Sequence, residues 1–248
     1  MENDISVIIE LLESQNAKQI NKGLSLLENL LRNLLPTIEN SFTTIHASRS
    51  SNTQQSQLNQ FLSLQDNFSY NLTSVLISIY NQRLSTEEIL SCNKLIQGLL
   101  LLHPQSKTIF NKKQNMKLIL NLLKYNSSNQ NQNLNIIIST ISTLIHILIK
   151  NYKNYRIFES LSGCKLIIEN LKLNSINDLT LNDTSKNNSL SIIQQNLNFK
   201  IIEFLMFYTI DEIDNPDPKS LEEKISFFKE EFPEIDSLVE SLNELINL

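Results

Sequence analysis

Two stretches of this sequence match at an offset of 48 residues, and that match constrains the fold more than any other feature. Ile109-Phe110 lies opposite Ile157-Phe158, Lys117-Leu118-Ile119 opposite Lys165-Leu166-Ile167, and Leu123 opposite Leu171, all without a gap. The preceding apolar stretches align as well, with Ile89 on Ile137, Leu99 on Ile147 and Leu100 on Leu148. Apolar residues recur at helical spacing in both copies, so each unit reads as long helix, short helix, medium helix. One such unit cannot bury its own apolar face, whereas stacked units share a continuous core. The expected fold class is therefore all-α, an armadillo-like helical-repeat (α-solenoid) domain, a plan whose period is about 40–47 residues. A third unit is expected over 190–247.

Composition agrees where it bears on this reading. Only 3 glycines and 5 prolines occur in 248 residues, too few for the tight turns of an all-β fold and for Gly-rich phosphate loops. A single domain over 1–248 is expected, with N-terminal capping helices in 1–47 and C-terminal helices in 219–247. Residues 4–14 carry the stripe Ile5, Ile8, Ile9 and Leu12, and 17–35 carry Leu24, Leu27, Leu31 and Leu34. Pro36 should end or bend that helix, with a turn or two continuing over 37–47. The Ser-, Asn- and Gln-rich segments 48–57 and 174–189 read as mobile polar loops. One helix is expected over 64–81. Ser85-Thr86-Glu87-Glu88 has capping-box spacing and should open the next. Residues 134–149 are the most apolar stretch, short of the roughly 20 residues of a membrane span and interrupted by Ser139, Thr140, Ser142, Thr143 and His146. They read as a buried helix, with a strand as the rival because β-branched residues dominate. The many asparagines read as compositional bias and weaken helix propensity, leaving packing to hold the helices.

The residue types that carry chemistry do not converge. The net charge of −5 gives no global footprint for nucleic acid. Cys92 and Cys164 make neither a disulfide framework nor a zinc site, and they suggest a reducing compartment. The acidic start Met1-Glu2-Asn3-Asp4 lacks the features of a secretory or mitochondrial leader. Cys92 and His103 would lie about 16 Å apart along a straight helix, beyond reach as nucleophile and base. His46, His103 and His146 have no metal-ligand spacing. His103 reads as a helix-end cap and His146 as a hydrogen-bonded core residue. No cofactor is expected. The paired carboxylates Glu87-Glu88, Glu222-Glu223 and Glu230-Glu231 read as solvated faces.

Arg156 and Glu159, three apart on one helix face, read as a local pair, an inter-repeat link or a partner contact. Glu203 and Tyr208 interrupt an otherwise apolar helix. A buried carboxylate there needs a cation, and Glu203 with Arg156 or a lysine is the expected pair. By analogy with armadillo stacks, Asn115, Lys117 and Asn121, then Lys165 and Glu169, would form a polar ladder on a concave face. A merely solvated face is the plainer alternative.

Three blocks resemble a known family. The first is Leu102-His103-Pro104-Gln105-Ser106-Lys107, with Phe110, Asn115-Met116 and Leu120-Asn121-Leu122-Leu123. The second is Asn154-Tyr155-Arg156-Ile157-Phe158-Glu159, with Gly163. The third is Glu203-Phe204-Leu205-Met206-Phe207-Tyr208, with Glu212. In this order they resemble the fungal cell division control protein 14 family of the septation initiation network. Lys107 stands where the family pattern has arginine, and Asp211 where it has proline. The resemblance implies a non-catalytic cytoplasmic partner of a Ste20-like (germinal-centre-type) protein kinase. That complex is recruited to the spindle pole body and couples mitotic exit to septum formation. An unrelated phosphatase of the same name needs a cysteine followed after five residues by arginine, and neither cysteine here has one. The alternative function is a general armadillo-like adaptor that binds a peptide of another cytoplasmic protein. Neither reading involves membrane insertion or a small-molecule substrate.

Overall fold

The structure, a computed structural model, describes residues 1–43, 52–172 and 185–246. Among the described residues every regular element is a helix, which decides for helix and against strand at 134–149. The chain groups into two compact units, Met1–Ile109 and Phe110–Leu248, where the sequence suggests one domain.

The first unit opens with α1 (Glu2–Leu12) packed on α2 (Ala17–Thr43). Ile5, Ile8 and Leu12 of α1 and Leu24, Leu27 and Leu34 of α2 are buried, as the stripes predict. Gly23 lets the helices meet closely, since a Cβ there would stand 3.0 Å from Leu12. The helix runs on through Pro36 to Thr43. Residues 48–51 lie outside the described residues, but α3 (Asn52–Asp66) is already helical where the polar loop is expected. Ser, Asn and Gln disfavour a helix by only a few tenths of a kcal/mol each. Burial of Leu58 and Phe61 anchors this one.

The expected single helix over 64–81 is divided. A 3-10 turn spans Phe68–Tyr70, and α4 is confined to Leu72–Ile79. The cause is asparagine. The Asn67 side chain accepts from the Ser69 N–H and Asn71 from the Ser74 N–H, so two helix starts are capped inside the expected one. An Asn side-chain carbonyl satisfies an N–H that has no partner within the helix. Asn129 and Asn151 cap two later helices in the same way. Helix α5 (Thr86–Leu102) carries both bonds of its capping box, between Ser85 and Glu88.

In the second unit α6 (Lys113–Asn121) ends in a 3-10 turn, Leu122–Lys124. Helix α7 (Gln130–Leu148) is the centre, and α10 (Ser185–Thr209) packs along it. The hydroxyls within α7 bond back along their own helix, Thr140 to the Ile136 carbonyl at 2.8 Å and Thr143 to Ser139 at 3.0 Å. His146 is half-buried with Nδ1 2.8 Å from the Ser142 carbonyl. The hydroxyls of α7 therefore enter the core with their donors met. No described helix is long and apolar enough to cross a membrane. The short α8 (Tyr152–Ser160) and α9 (Gly163–Ile168) follow, then α10, α11 (Leu221–Ser226) and α12 (Ile235–Ile246). Residues 174–184 lie outside the described residues, and 185–189 open α10 rather than extending the polar loop.

Burial repeats at the 48-residue offset. Ile89 and Ile137, Leu99 and Ile147, Leu100 and Leu148, and Phe110 and Phe158 are all buried. The turn after each long helix also matches: the Ser106 N–H donates to the His103 carbonyl at 3.0 Å, and Asn154 to Asn151 at 3.0 Å.

Candidate functional site

The second and third sequence blocks meet in one buried polar network. Arg156 on α8 places Nη1 2.7 and 2.8 Å from the two Glu159 carboxylate oxygens, and Nη2 against Glu212. Tyr208 on α10 donates its hydroxyl to Glu159 at 2.7 Å. Glu212, just beyond α10, also accepts from Asn215. Lys224 on α11 donates to the Ile210 carbonyl at 2.6 Å and lies 3.4 Å from the other Glu212 oxygen. The side chains of Glu159, Glu212 and Lys224 are 4%, 2% and 1% exposed. Two carboxylates and two cations thus balance each other, all but the half-buried Arg156 nearly out of water.

The electrostatics follow from that packing. Burial would raise the Glu212 carboxyl, but hydrogen bonds from Arg156 and Asn215 and the charges of Lys224 and Arg156 outweigh it and hold it below its ordinary value. Burial would likewise weaken the Arg156 guanidinium, and its bonds to Glu212 and Glu159 reverse this. Burial, then the neighbouring Cys164 and Glu159, pushes the Tyr208 phenol far up, so it stays a donor. An aromatic cluster walls the network: Phe158 and Tyr208 lie 6.2 Å apart, Phe204 stacks on Tyr208 at 5.8 Å, and Phe228 meets it edge-on at 5.5 Å. The arrangement acts as a clasp joining α8, α10 and α11.

Glu203 meets a lysine, one of its two expected cations, but on the surface and within its own helix. It is exposed and pairs with Lys200 one turn away, and Glu212 takes the place expected for it beside Arg156. Apolar residues of α10 lie on its outward as well as its inward side, so a carboxylate among them can sit on the outward face. Lys224 and Asn215 were not singled out from sequence. Lys224 shares the inward stripe of Leu221, Ile225 and Phe228, and a lysine on such a stripe signals a buried counter-charge.

The expected ladder is distributed over α6 and α9, and α9 packs against the turn that ends α6. Lys117, Asn121 and Glu169 are exposed and Asn115 is half-buried. Lys165 lies against Glu231 and 3.4 Å from Glu230, so its charge is directed to the segment between α11 and α12.

The first unit holds a second polar cluster. His103 places Nδ1 2.8 Å from the Ser106 hydroxyl and Nε2 3.0 Å from Asp66. Asn71 donates to the Ser106 oxygen at 2.9 Å and to the Gln65 carbonyl at 2.6 Å. His103 terminates α5 as expected, but its ring reaches these residues and not the helix carbonyls. The connectivity is that of a nucleophile, base and acid. Ser106 is buried, however, and its oxygen is occupied by Asn71, so the group joins the ends of α3 and α5 to the start of α4. The cysteines are buried too. Burial, reinforced by Glu88, pushes the Cys92 thiol up to about 12, and burial raises Cys164 further. Neither is a thiolate near neutrality. Among the described residues no cluster of His, Cys, Asp and Glu could hold a metal ion.

The residues that carry the blocks are thus largely interior. His103, Ser106, Phe110, Asn154, Phe158, Phe204 and Tyr208 are buried, and a Cβ on Gly163 would stand 2.2 Å from the Phe158 ring. The profile of the family described as "Cell division control protein 14, SIN component" matches residues 1–218. The chain belongs to this family. It is similar to the cell division control protein 14 of Schizosaccharomyces pombe, at 27% identity over 177 residues, covering 65% of this chain and 62% of that protein. The chain thus spans less than two thirds of that relative. No solved structure matches. The family is that of a septation initiation network component, distinct from the phosphatase of the same name.

Proposed function

We propose that the chain is a non-catalytic scaffold of the armadillo-like helical-repeat type, holding a Ste20-like (germinal-centre-type) protein kinase within the septation initiation network. In that role it promotes septum formation and cytokinesis from a cytoplasmic pool recruited to the spindle pole body. Family membership over residues 1–218 is the observation that carries the reading. The chemistry of the interior supports it. The histidine, serine and cysteines that could carry catalysis are engaged in holding helix ends or buried as thiols, and the buried Lys224 and half-buried Arg156 are matched by carboxylates. Such a molecule offers rigid surface rather than reactive groups. A long helix followed by two shorter ones in each copy, with matched burial at the 48-residue offset, supports the armadillo-like plan.

Affinity purification from dividing cells, with mass-spectrometric identification, tests this. A Ste20-like kinase should be recovered in stoichiometric amount. A chain recovered without any kinase, through mitosis, contradicts the reading.

A further inference from the structure

Helix α10 packs one side on α7, and its opposite, outward side carries a row of exposed apolar residues interspersed with the exposed Asn196 and Glu203. Ile192, Phe199 and Ile210 are exposed, Phe199 to 68%, and the half-buried Met206 lies between the last two. At 100° per residue Ile192, Phe199, Met206 and Ile210 fall within about 40° of one another, a single stripe about 27 Å long from 192 to 210. Ile213, immediately beyond, is 85% exposed. Large apolar side chains exposed in one row point to a contact site more strongly than single scattered ones do.

Charge identifies what fits. The end of the stripe at Ile210 is set among Asp211, Asp214 and Asp217, all exposed. Between Asp211 and Glu240 the chain carries eleven of its 26 acidic residues against three lysines, so this end holds the chain's acid excess. Of those lysines, Lys224 is buried against Glu212, Lys229 pairs with Asp236 at 3.0 Å, and Lys219 lies over the Phe227 ring. The carbonyl end of α10 adds negative potential at the same place. On the stripe itself Glu203 and Lys200 cancel as a pair.

We infer that the outward face of α10 docks an amphipathic helix of a partner protein, about five turns long, whose apolar face covers Ile192, Phe199, Met206, Ile210 and Ile213 and whose lysines or arginines meet Asp211, Asp214 and Asp217. This deepens the scaffold reading by giving it a surface, and it rests on that reading for the partner being the kinase. A helix laid in an apolar groove, read by anchors one and two turns apart, is a general mode of recognition.

Two arms test it. In the first, the full chain is titrated with two synthetic 20-residue amphipathic helices that share a leucine face and carry lysines or glutamates on the other. The lysine peptide should bind at least tenfold more tightly, and Phe199→Asp or Asp211→Lys with Asp214→Lys should each weaken it at least tenfold. Equal affinity for the two peptides, or unchanged binding by Phe199→Asp, overturns the site. Because Phe199 is exposed, its variant should retain the wild-type circular dichroism and melting temperature. In the second arm the Ste20-like kinase is co-expressed with the wild-type chain and with Phe199→Asp. Loss of co-elution in the variant alone supports the inference. Co-elution with both retains the scaffold and refutes this surface, while co-elution with neither refutes the kinase reading and leaves the peptide arm to decide the site. A wild-type dimer in sedimentation that Phe199→Asp converts to monomer would replace the partner by a second copy and overturn the proposal.

Discussion

The two polar interiors of this molecule stand at equivalent places in its repeat and solve the same problem by different chemistry. Ser106 and Asn154 are 48 residues apart, and each closes the same backbone turn after a long helix at 3.0 Å. In the first unit that turn is held by Ser106, His103, Asn71 and Gln65, and the one carboxylate beside them, Asp66, is 70% exposed. In the second unit the residues that follow carry full charges into the core. Arg156 and Glu159 have Thr108 and Asn111 as their counterparts in the first copy, so the pair is not a property of the repeat. It exists because Glu212 and Lys224, from the segment after α10, supply balancing charge. The repeat specifies the turn, and the neighbouring elements decide whether charge can be buried beside it. A charged cluster depends more strongly on each member, because removing one leaves its partner charged and dry.

That asymmetry can be broken or sharpened by four measurements. The largest effect is expected at Glu212. Glu212→Ala leaves Lys224 and Arg156 without their shared carboxylate and should destabilise the second unit by roughly 3–5 kcal/mol in chemical denaturation. A loss below about 1 kcal/mol would mean that the network is wet and the contrast false.

Acid should come next. The folded Glu212 carboxyl lies below its unfolded value, so its contribution is complete above the ordinary carboxylate pKa of about 4.3 and is lost as pH falls through the lowered folded value. Amide exchange measured from pH 6 to 3 should show accelerated opening in α8, α10 and α11 below about pH 4.3. That acceleration should be absent in a Glu212→Gln variant.

Ser106→Ala removes a neutral hydroxyl and should cost about 1 kcal/mol, several-fold less than Glu212→Ala by the same assay. Asp66→Asn, at an exposed position, should change stability by less than about 0.5 kcal/mol. Equal costs at Asp66 and Glu212 would remove the distinction between the clusters.

Much of the fold was legible in the sequence because it is local. The stripe of Ile5, Ile8 and Leu12 states a helix and its inward face, and Ser85 with Glu88 states where one begins. The second capping box, Ser220 with Glu223, has the same spacing and could have been read. Asparagine misled. Taken as a compositional burden, it proved to terminate and restart helices at Asn67, Asn71, Asn129 and Asn151, because the same side chain that weakens a helix interior satisfies its first turn.

The network was legible only in part. Arg156, Glu159 and Tyr208 stood out as polar residues in apolar surroundings, and the structure brings them together. The partner of Arg156 was not legible, because Glu203 within α10 and Glu212 just beyond it are both acidic, and periodicity cannot say which side of a helix with apolar residues all round faces inward. The outward stripe of α10 was hidden for that same reason.

The most direct test of the scaffold reading is a titration of the purified full chain with the purified Ste20-like kinase, followed by calorimetry. The account predicts a saturable complex of one kinase per chain. Heats indistinguishable from dilution, with both proteins folded, would contradict it.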